Sequence, residues 1–285
     1  MILVFGRHGQ LASALQRLAP ETTRCLDRSA ADLEDPAACA AAIRAARPRA
    51  VINAAAFTGV DAAESAPETA HRVNAESPAA MARAAAELGA PFVQVSTDYV
   101  FDGRGDTPWT PAAPTGPLGV YGASKLAGEA GVRAAGGVHA ILRTSWVFSA
   151  VGQNFVRTML RLGATRPEVS VVADQIGGPT PADDLAAACL RVARGLCDDP
   201  SRTGTYHFAG APDTSWAGLA REIFAQAGMA TRVAEIPTTA YPTPARRPLN
   251  SRLDCRSTNA AFGLPRPDWR KGLARVLKEL GEARP

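Results

Sequence analysis

The chain has 285 residues, 46% of them hydrophobic and 20% charged, enough apolar material for a sizeable core in one large domain or in a domain with a smaller lobe. Its formal charge of +4 comes without a basic block, and Arg is little interleaved with aromatic residues, which argues against a nucleic-acid partner. No stretch has the length and hydropathy of a membrane span, and the five cysteines, odd in number and lacking Cys-x-x-Cys spacing, argue against a disulfide framework and a zinc site.

Ile2-Leu3-Val4-Phe5 reads as a buried strand. Gly6-Arg-His-Gly9-Gln10-Leu11-Ala12 follows, and a helical pattern runs on from Ser13. In this strand–turn–helix unit Gly6 permits the tight turn, Gly9 lets the backbone approach a pyrophosphate, and Ala12 is small enough for the helix to pack on the strand. Thr23 to Leu26 is a second strand ending at Asp27-Arg28. An acid there bonds a ribose 2′-hydroxyl and favours NADH; an Arg there pairs with a 2′-phosphate and favours NADPH, so both cofactors stay open. Asp32-Leu33 lies just beyond, in a loop able to close over an adenine. Asp35-Pro36 starts a helix, with Asp as cap and Pro in the first turn. Ala50 to Asn53 is a third strand, followed by Ala54-Ala55-Ala56-Phe57-Thr58. Pro67 to Leu88 reads as one long helix stopped by Gly89.

A fourth strand, Pro91 to Val95, leads into Ser96-Thr97-Asp98-Tyr99, hydroxyls and a carboxylate at the strand end where doubly wound sheets bind ligands. After a proline-rich loop comes Tyr121-Gly-Ala-Ser-Lys125 on a helix, its two end residues on one face. An ammonium beside a phenol favours the phenolate and eases proton exchange with a carbonyl oxygen. The chain has only three lysines (Lys125, Lys271 and Lys278) against 28 arginines, so Lys125 marks a place that needs a compact ammonium. Val138 to Leu142 is a fifth strand, extended by Arg143 to Phe148; Asn154 to Leu162 is a helix; Val169 to Ala173 is another strand. Pro181 opens a further helix, Thr205 to Phe208 is a short strand, and helices follow from Trp216 and Asp268. The expected fold is α/β, a Rossmann-type doubly wound parallel sheet over 1–150 with a further strand from 169–173, and a smaller C-terminal α/β substrate lobe over 151–285.

These motifs resemble the extended short-chain dehydrogenase/reductase superfamily and, within it, the dTDP-4-dehydrorhamnose reductase family. The resemblance runs nearly the whole chain. It rests on Gly9-Gln-Leu11, Asn53-Ala-Ala-Ala56, Val60-Asp-Ala-Ala-Glu64, Ser96 to Gly103, Gly119 to Glu129, Arg143 to Phe148, Asn154-Phe155, Asp174-Gln175 with Pro179-Thr180, and Arg247-Pro248. It implies reduction by NADPH or NADH of the 4-keto group of a dTDP-sugar, with Tyr121 as proton donor. Lys125 would hold the nicotinamide ribose, and Thr97 would stand in place of the usual catalytic Ser. Asp98 and Trp146, with Thr97, would contact the sugar nucleotide. Gly6, Gly9, Gln10, Leu11, Asp32, Leu33, Ala56, Phe57 and Thr58 would line the cofactor, with Tyr121 and Lys125. Ala12, Phe57 and Gly59 depart from the commoner family residues without removing a catalytic group. Some members dimerise through a magnesium ion held by C-terminal acids; Glu279 and Glu282 lie in a roughly similar place, and a solvated helix face accounts for them equally well, so no metal ligand is assigned. A homodimer and a cytoplasmic setting belong to the same expectation, with no nucleic acid and no membrane. Another nucleotide-sugar reductase or epimerase of the same superfamily, or a non-catalytic regulatory subunit of the methionine adenosyltransferase type, is the alternative.

Overall fold

The computed structural model describes residues 1–282. Six parallel strands form the central sheet: β1 (Ile2–Phe5), β2 (Thr23–Leu26), β3 (Ala50–Asn53), β4 (Phe92–Thr97), β5 (His139–Thr144) and, much later in the chain, β10 (Gly204–His207). Their spatial order is β10-β5-β4-β3-β1-β2, so the chain reverses its direction of travel across the sheet between β1 and β3. That reversal opens a crevice at the carboxyl ends of β1 and β3, the place where such sheets take ligands.

The sheet is buried on both faces, and alternate residues divide between two cores. Ile2 and Val4 pack with α1 (Gln10–Leu18) and α8 (Ala182–Asp198). Leu3 and Phe5 pack with α2 (Pro36–Ala46) and α5 (Ser77–Glu87). Asp35 caps α2 through the Ala38 N–H at 2.9 Å, with Pro36 in the first turn, as the sequence implies.

Two short helices, α3 (Val60–Ser65) and α4 (Pro67–His71), lead into a π-helical turn, Arg72–Glu76, that joins α5. The expected single helix over 67–88 is therefore interrupted. Pro78 has no N–H for the Asn74 carbonyl, and its ring would crowd that carbonyl, so the helix widens there. Across from this turn lies α6 (Val120–Ala134), the helix of Tyr121 and Lys125. Gly128 of α6 meets the Asn74 carbonyl so closely that an added Cβ would lie 2.1 Å from its oxygen.

The second lobe has its own core, built on α7 (Phe155–Gly163), α9 (Trp216–Gln226) and α11 (Trp269–Leu280). Its small strands are β6 (Val147–Phe148), β7 (Glu168–Val172), β8 (Ile176–Gly177), β9 (Thr180–Pro181), β11 (Thr214–Ser215), β12 (Arg232–Ile236) and β13 (Asn250–Ser251); α10 (Arg256–Phe262) lies near the end of the chain.

Further expectations need correction. The strand expected at 169–173 does not join the main sheet: β7 pairs with β12, and the sixth sheet strand is β10. Nor does Arg143 to Phe148 continue one strand, because Trp146 takes a left-handed φ of 49° and the chain turns there, sending β6 to pair with β9. With α8 and β10 both on the dinucleotide-type sheet, residue 150 is not a clean boundary in sequence, since residues 182–207 return to the first body. None of the described helices is long and apolar enough to cross a membrane.

Candidate active site

Gly6, at the end of β1, has a φ of 104°, a conformation that favours glycine. Gly9 precedes α1, and a Cβ there would meet nothing within 4 Å. No side chain among the described residues caps α1, and the N–H groups of Gln10, Leu11 and Ala12 are free of intrahelical partners at its positive end. From here a groove runs along the switch point, bordered by Gly6, Asp32, Leu33, Ala56 and Phe57. This uncapped glycine turn at the head of an open groove fits the diphosphate of a dinucleotide. Arg28, at the same groove, is paired with Asp32 at 2.9 Å and with Glu34 at 2.5 Å, so a cation and carboxylates stand together where a ribose edge would lie.

Three expected cofactor residues have other commitments. The side chain of Gln10 donates to the Val147 carbonyl and accepts from Ser149 and Asn154, tying α1 to the second lobe. Leu11 is in the core, so only its backbone N–H faces outward. Thr58 is exposed and does not border the groove.

Across the crevice, Thr97 closes β4 and Asp98 begins a short 3-10 turn. Both are buried, at 5% and 2% exposure. The Thr97 hydroxyl donates to Asp98 Oδ1 at 3.1 Å and accepts the Tyr99 N–H at 3.2 Å. Among the described residues Asp98 Oδ2 has no hydrogen-bond partner, and burial pushes this carboxyl up to about 6, opposed by the Ser251 and Thr97 hydroxyls. The Tyr121 ring stands edge-on to Tyr99, centroids 5.5 Å apart. Burial raises its phenol to about 12, the Thr97 hydroxyl opposing and Asp98 adding to the rise.

Lys125 corrects one expectation. Its ammonium donates to the Val95 carbonyl at 2.7 Å, and burial lowers it to about 8, with Glu129 holding it up. In this arrangement the phenol is not pulled down by the cation; burial dominates. Glu129, one turn further along α6, accepts from Ser96 at 2.7 Å and from Arg143 at 2.7 and 2.8 Å. Residues 95 to 97 of β4 thus grip or face three successive turns of α6, at Lys125, Glu129 and Tyr121.

Several positioning residues had no local signal in the sequence. Asn74, on the π turn, accepts the Phe57 N–H, donates to the Phe57 carbonyl and to Ser124, and so locks the strand-3 loop to α6. Glu64 accepts the Val120 N–H at 2.8 Å and caps α6 from outside. Asp61, from the same segment, forms a two-pronged pair with Arg247 at 2.8 and 3.1 Å, joining the two lobes beside Tyr99. Asn250 binds the loop after Tyr99 through the Thr107 and Arg104 carbonyls.

Comparisons with known proteins show the family. Residues 1–282 match the model of the RmlD substrate binding domain. The chain belongs to the RmlD substrate binding domain family. The dTDP-4-dehydrorhamnose reductase of Escherichia coli strain K12 is 43% identical to it, covering 98% of this chain and 97% of that protein. A crystal structure of a dTDP-4-dehydrorhamnose reductase from Clostridium acetobutylicum superposes with a TM-score of 0.91 at 35% identity, covering 98% of this chain and 99% of that one. Another, from Bacillus anthracis strain Ames in complex with NADP, gives 0.90 at 35% identity and covers 98% of each chain.

In this RmlD-family chain, no three His, Cys, Asp or Glu side chains among the described residues converge to hold a metal. Near Glu279, Asp183 is paired with Arg17 and Asp184 with Arg275, so these acids do not fit a magnesium cage within one chain. All five cysteines are free thiols.

Proposed function

We propose that this chain reduces the 4-keto group of dTDP-4-dehydro-β-L-rhamnose with NADPH or NADH, giving dTDP-β-L-rhamnose as the last step of dTDP-rhamnose formation. The observation that carries the reading is the meeting of Tyr121, Thr97 and Asp98 at the carboxyl end of β4, across the crevice from an uncapped glycine turn.

A bound nicotinamide would supply the hydride that the sugar C4 accepts. Tyr121 gives its phenolic proton to the developing O4 oxygen, so no free alkoxide accumulates. A phenol held near 12 is fully protonated at neutral pH, the form a proton donor needs, and it is still far more acidic than the secondary alcohol it creates. Thr97 turns its hydroxyl from Asp98 to O4 and orients the carbonyl. Asp98, with an oxygen free, accepts a sugar hydroxyl. Lys125, its ammonium anchored on the Val95 carbonyl, is assigned to the nicotinamide ribose. Gly6, Gly9 and the first N–H groups of α1 receive the pyrophosphate; Asp32, Leu33, Ala56 and Phe57, which border the groove, are assigned to the rest of the cofactor, and Thr58, exposed outside it, is not. A homodimer and a cytoplasmic setting complete the reading.

The test is the loss of reduced-nicotinamide absorbance when purified protein meets either cofactor and dTDP-4-dehydrorhamnose made in situ. Turnover abolished by Tyr121→Phe supports the assignment. Cofactor binding without turnover overturns it in favour of a non-catalytic role.

A further inference from the structure

The four tryptophans divide three to one. Trp109 donates its indole N–H to the Asn250 carbonyl at 3.0 Å, Trp216 to Gln175 Oε1 at 3.1 Å, and Trp269 to the Pro212 carbonyl at 2.7 Å. Trp146 alone has no acceptor for its indole N–H among the described residues, although the ring is half-buried. It stands two residues beyond Thr144, the register partner of Thr97, and so beside the sugar end of the site.

The Trp146 ring is held firmly. It stacks on Trp216 with centroids 3.7 Å apart and planes 12° from parallel, and Phe155 supports Trp216 from 4.6 Å. It also meets Gly177, where an added Cβ would fall 2.9 Å from the indole; Gly177 pairs with Ser251, the hydroxyl beside Asp98. Trp216 is itself fixed in rotation. Gln175, buried, accepts its N–H and donates to the Thr238 hydroxyl at 3.0 Å, and that hydroxyl donates to Asp174 at 2.6 Å. A plain packing role would be served by Leu or Phe. A polar relay with every member satisfied sets an angle as well as a volume.

We propose that Trp216, oriented by Gln175, is a positioning residue that fixes the plane of Trp146 so that its free indole N–H meets an oxygen of the sugar nucleotide. The inference deepens the reductase reading and rests on it. It gives Asp174-Gln175 a purpose: they govern recognition of the keto-sugar from a distance, and leave the nicotinamide side untouched.

The test uses the full-length protein with Trp146→Phe, Trp216→Leu, Trp216→Phe and Gln175→Leu. Far-ultraviolet circular dichroism reads the exciton couplet of the stacked indoles, calorimetry reads NADPH affinity, and steady-state turnover separates KM from kcat. The couplet is expected in the parent and lost in the three tryptophan variants. The KM for the keto-sugar should rise about tenfold in Trp216→Leu and Gln175→Leu and less in Trp216→Phe, with NADPH affinity unchanged and kcat within about threefold. If Trp216→Leu fails to fold, the other two variants decide. A parent that does not reduce the keto-sugar, or a Trp146→Phe variant with unchanged KM, overturns the underlying reading and this inference with it. With Trp146→Phe impaired, an unchanged KM in folded Trp216 and Gln175 variants overturns this inference alone, as does a parallel loss of NADPH affinity.

Discussion

Gly122 is the most exposing position at which to perturb this site. It follows Tyr121 in the first turn of α6, and a methyl added there would lie 2.1 Å from the Tyr99 carbonyl oxygen and 3.0 Å from Pro117 Cβ. Carbon and oxygen in close contact keep about 3.4 Å, so the helix and the strand-4 loop must part by about 1.3 Å to admit it. Two effects oppose each other. Alanine gains up to about 1 kcal/mol in helix propensity, and overpacking costs about 1–3 kcal/mol. The obstacle is a backbone carbonyl that cannot swing aside, which puts the cost at the upper end, and Gly122→Ala should lose about 2 kcal/mol net, or about 4–8 °C in Tm. Catalysis should suffer more than stability. Parting α6 from the loop moves Tyr121 and Lys125 together away from Thr97 and Tyr99, and a displacement of about 1 Å costs about 100-fold in rate. Thermal unfolding and kcat/KM on the same preparation make the comparison. A variant with the parent's Tm and a rate within twofold of it would refute the claim that this close approach sets the position of Tyr121.

The other predictions separate cofactor, proton and charge. Gly9→Ala meets open space at a φ of −74°, so its stability should change by less than about 1 kcal/mol while NADPH affinity falls about tenfold; an unchanged affinity by calorimetry would remove the pyrophosphate from this turn. Lys125→Arg keeps the charge but cannot fit its planar fork against one carbonyl, and should lose most activity; near-parent turnover would defeat the argument from lysine scarcity. In the parent, burial lowers Lys125 to about 8, so the cation is present below that pH and lost above it, and kcat/KM should fall as pH rises through about 8; a profile flat to pH 10 would contradict the assigned role. Asp98 is raised to about 6, so between its unfolded value of 3.8 and about 6 the native state holds a proton that the unfolded chain releases. Its contribution to stability is therefore lost as pH rises across that window, and Asp98→Asn should flatten that slope in denaturant titrations at pH 4.5 and 7.

What could be read directly from the sequence was local chemistry. Gly6 and Gly9 between a strand and a helix, and Tyr121 four residues before Lys125, are encoded by spacing along a single element, and the structure keeps those elements. Strand partnership is not local. Val169 to Ala173 is more apolar than Gly204 to His207 and looked the better sheet strand, yet it packs in the second lobe against α9, and the weaker segment closes the sheet beside β5. The proton affinities were equally out of reach. Spacing puts Lys125 near Tyr121 but says nothing of the Val95 carbonyl that takes the ammonium, or of the burial that keeps the phenol protonated.

The positioning of the site lies in contacts that span the chain. Asn74 reaches Phe57 and Ser124; Glu64 caps a helix 56 residues on; Asp61 holds Arg247 across 186 residues. The first two join α6 to its neighbours in the first lobe, and the third ties the α3 segment to the second lobe. The Val60 to Glu64 segment makes this concrete. Its Asp reaches the second lobe and its Glu reaches the catalytic helix, five residues serving as one clamp between them. A change in how Arg247 is held would therefore reach the N-terminus of α6 through the six residues of α3, without any contact to Tyr121 itself.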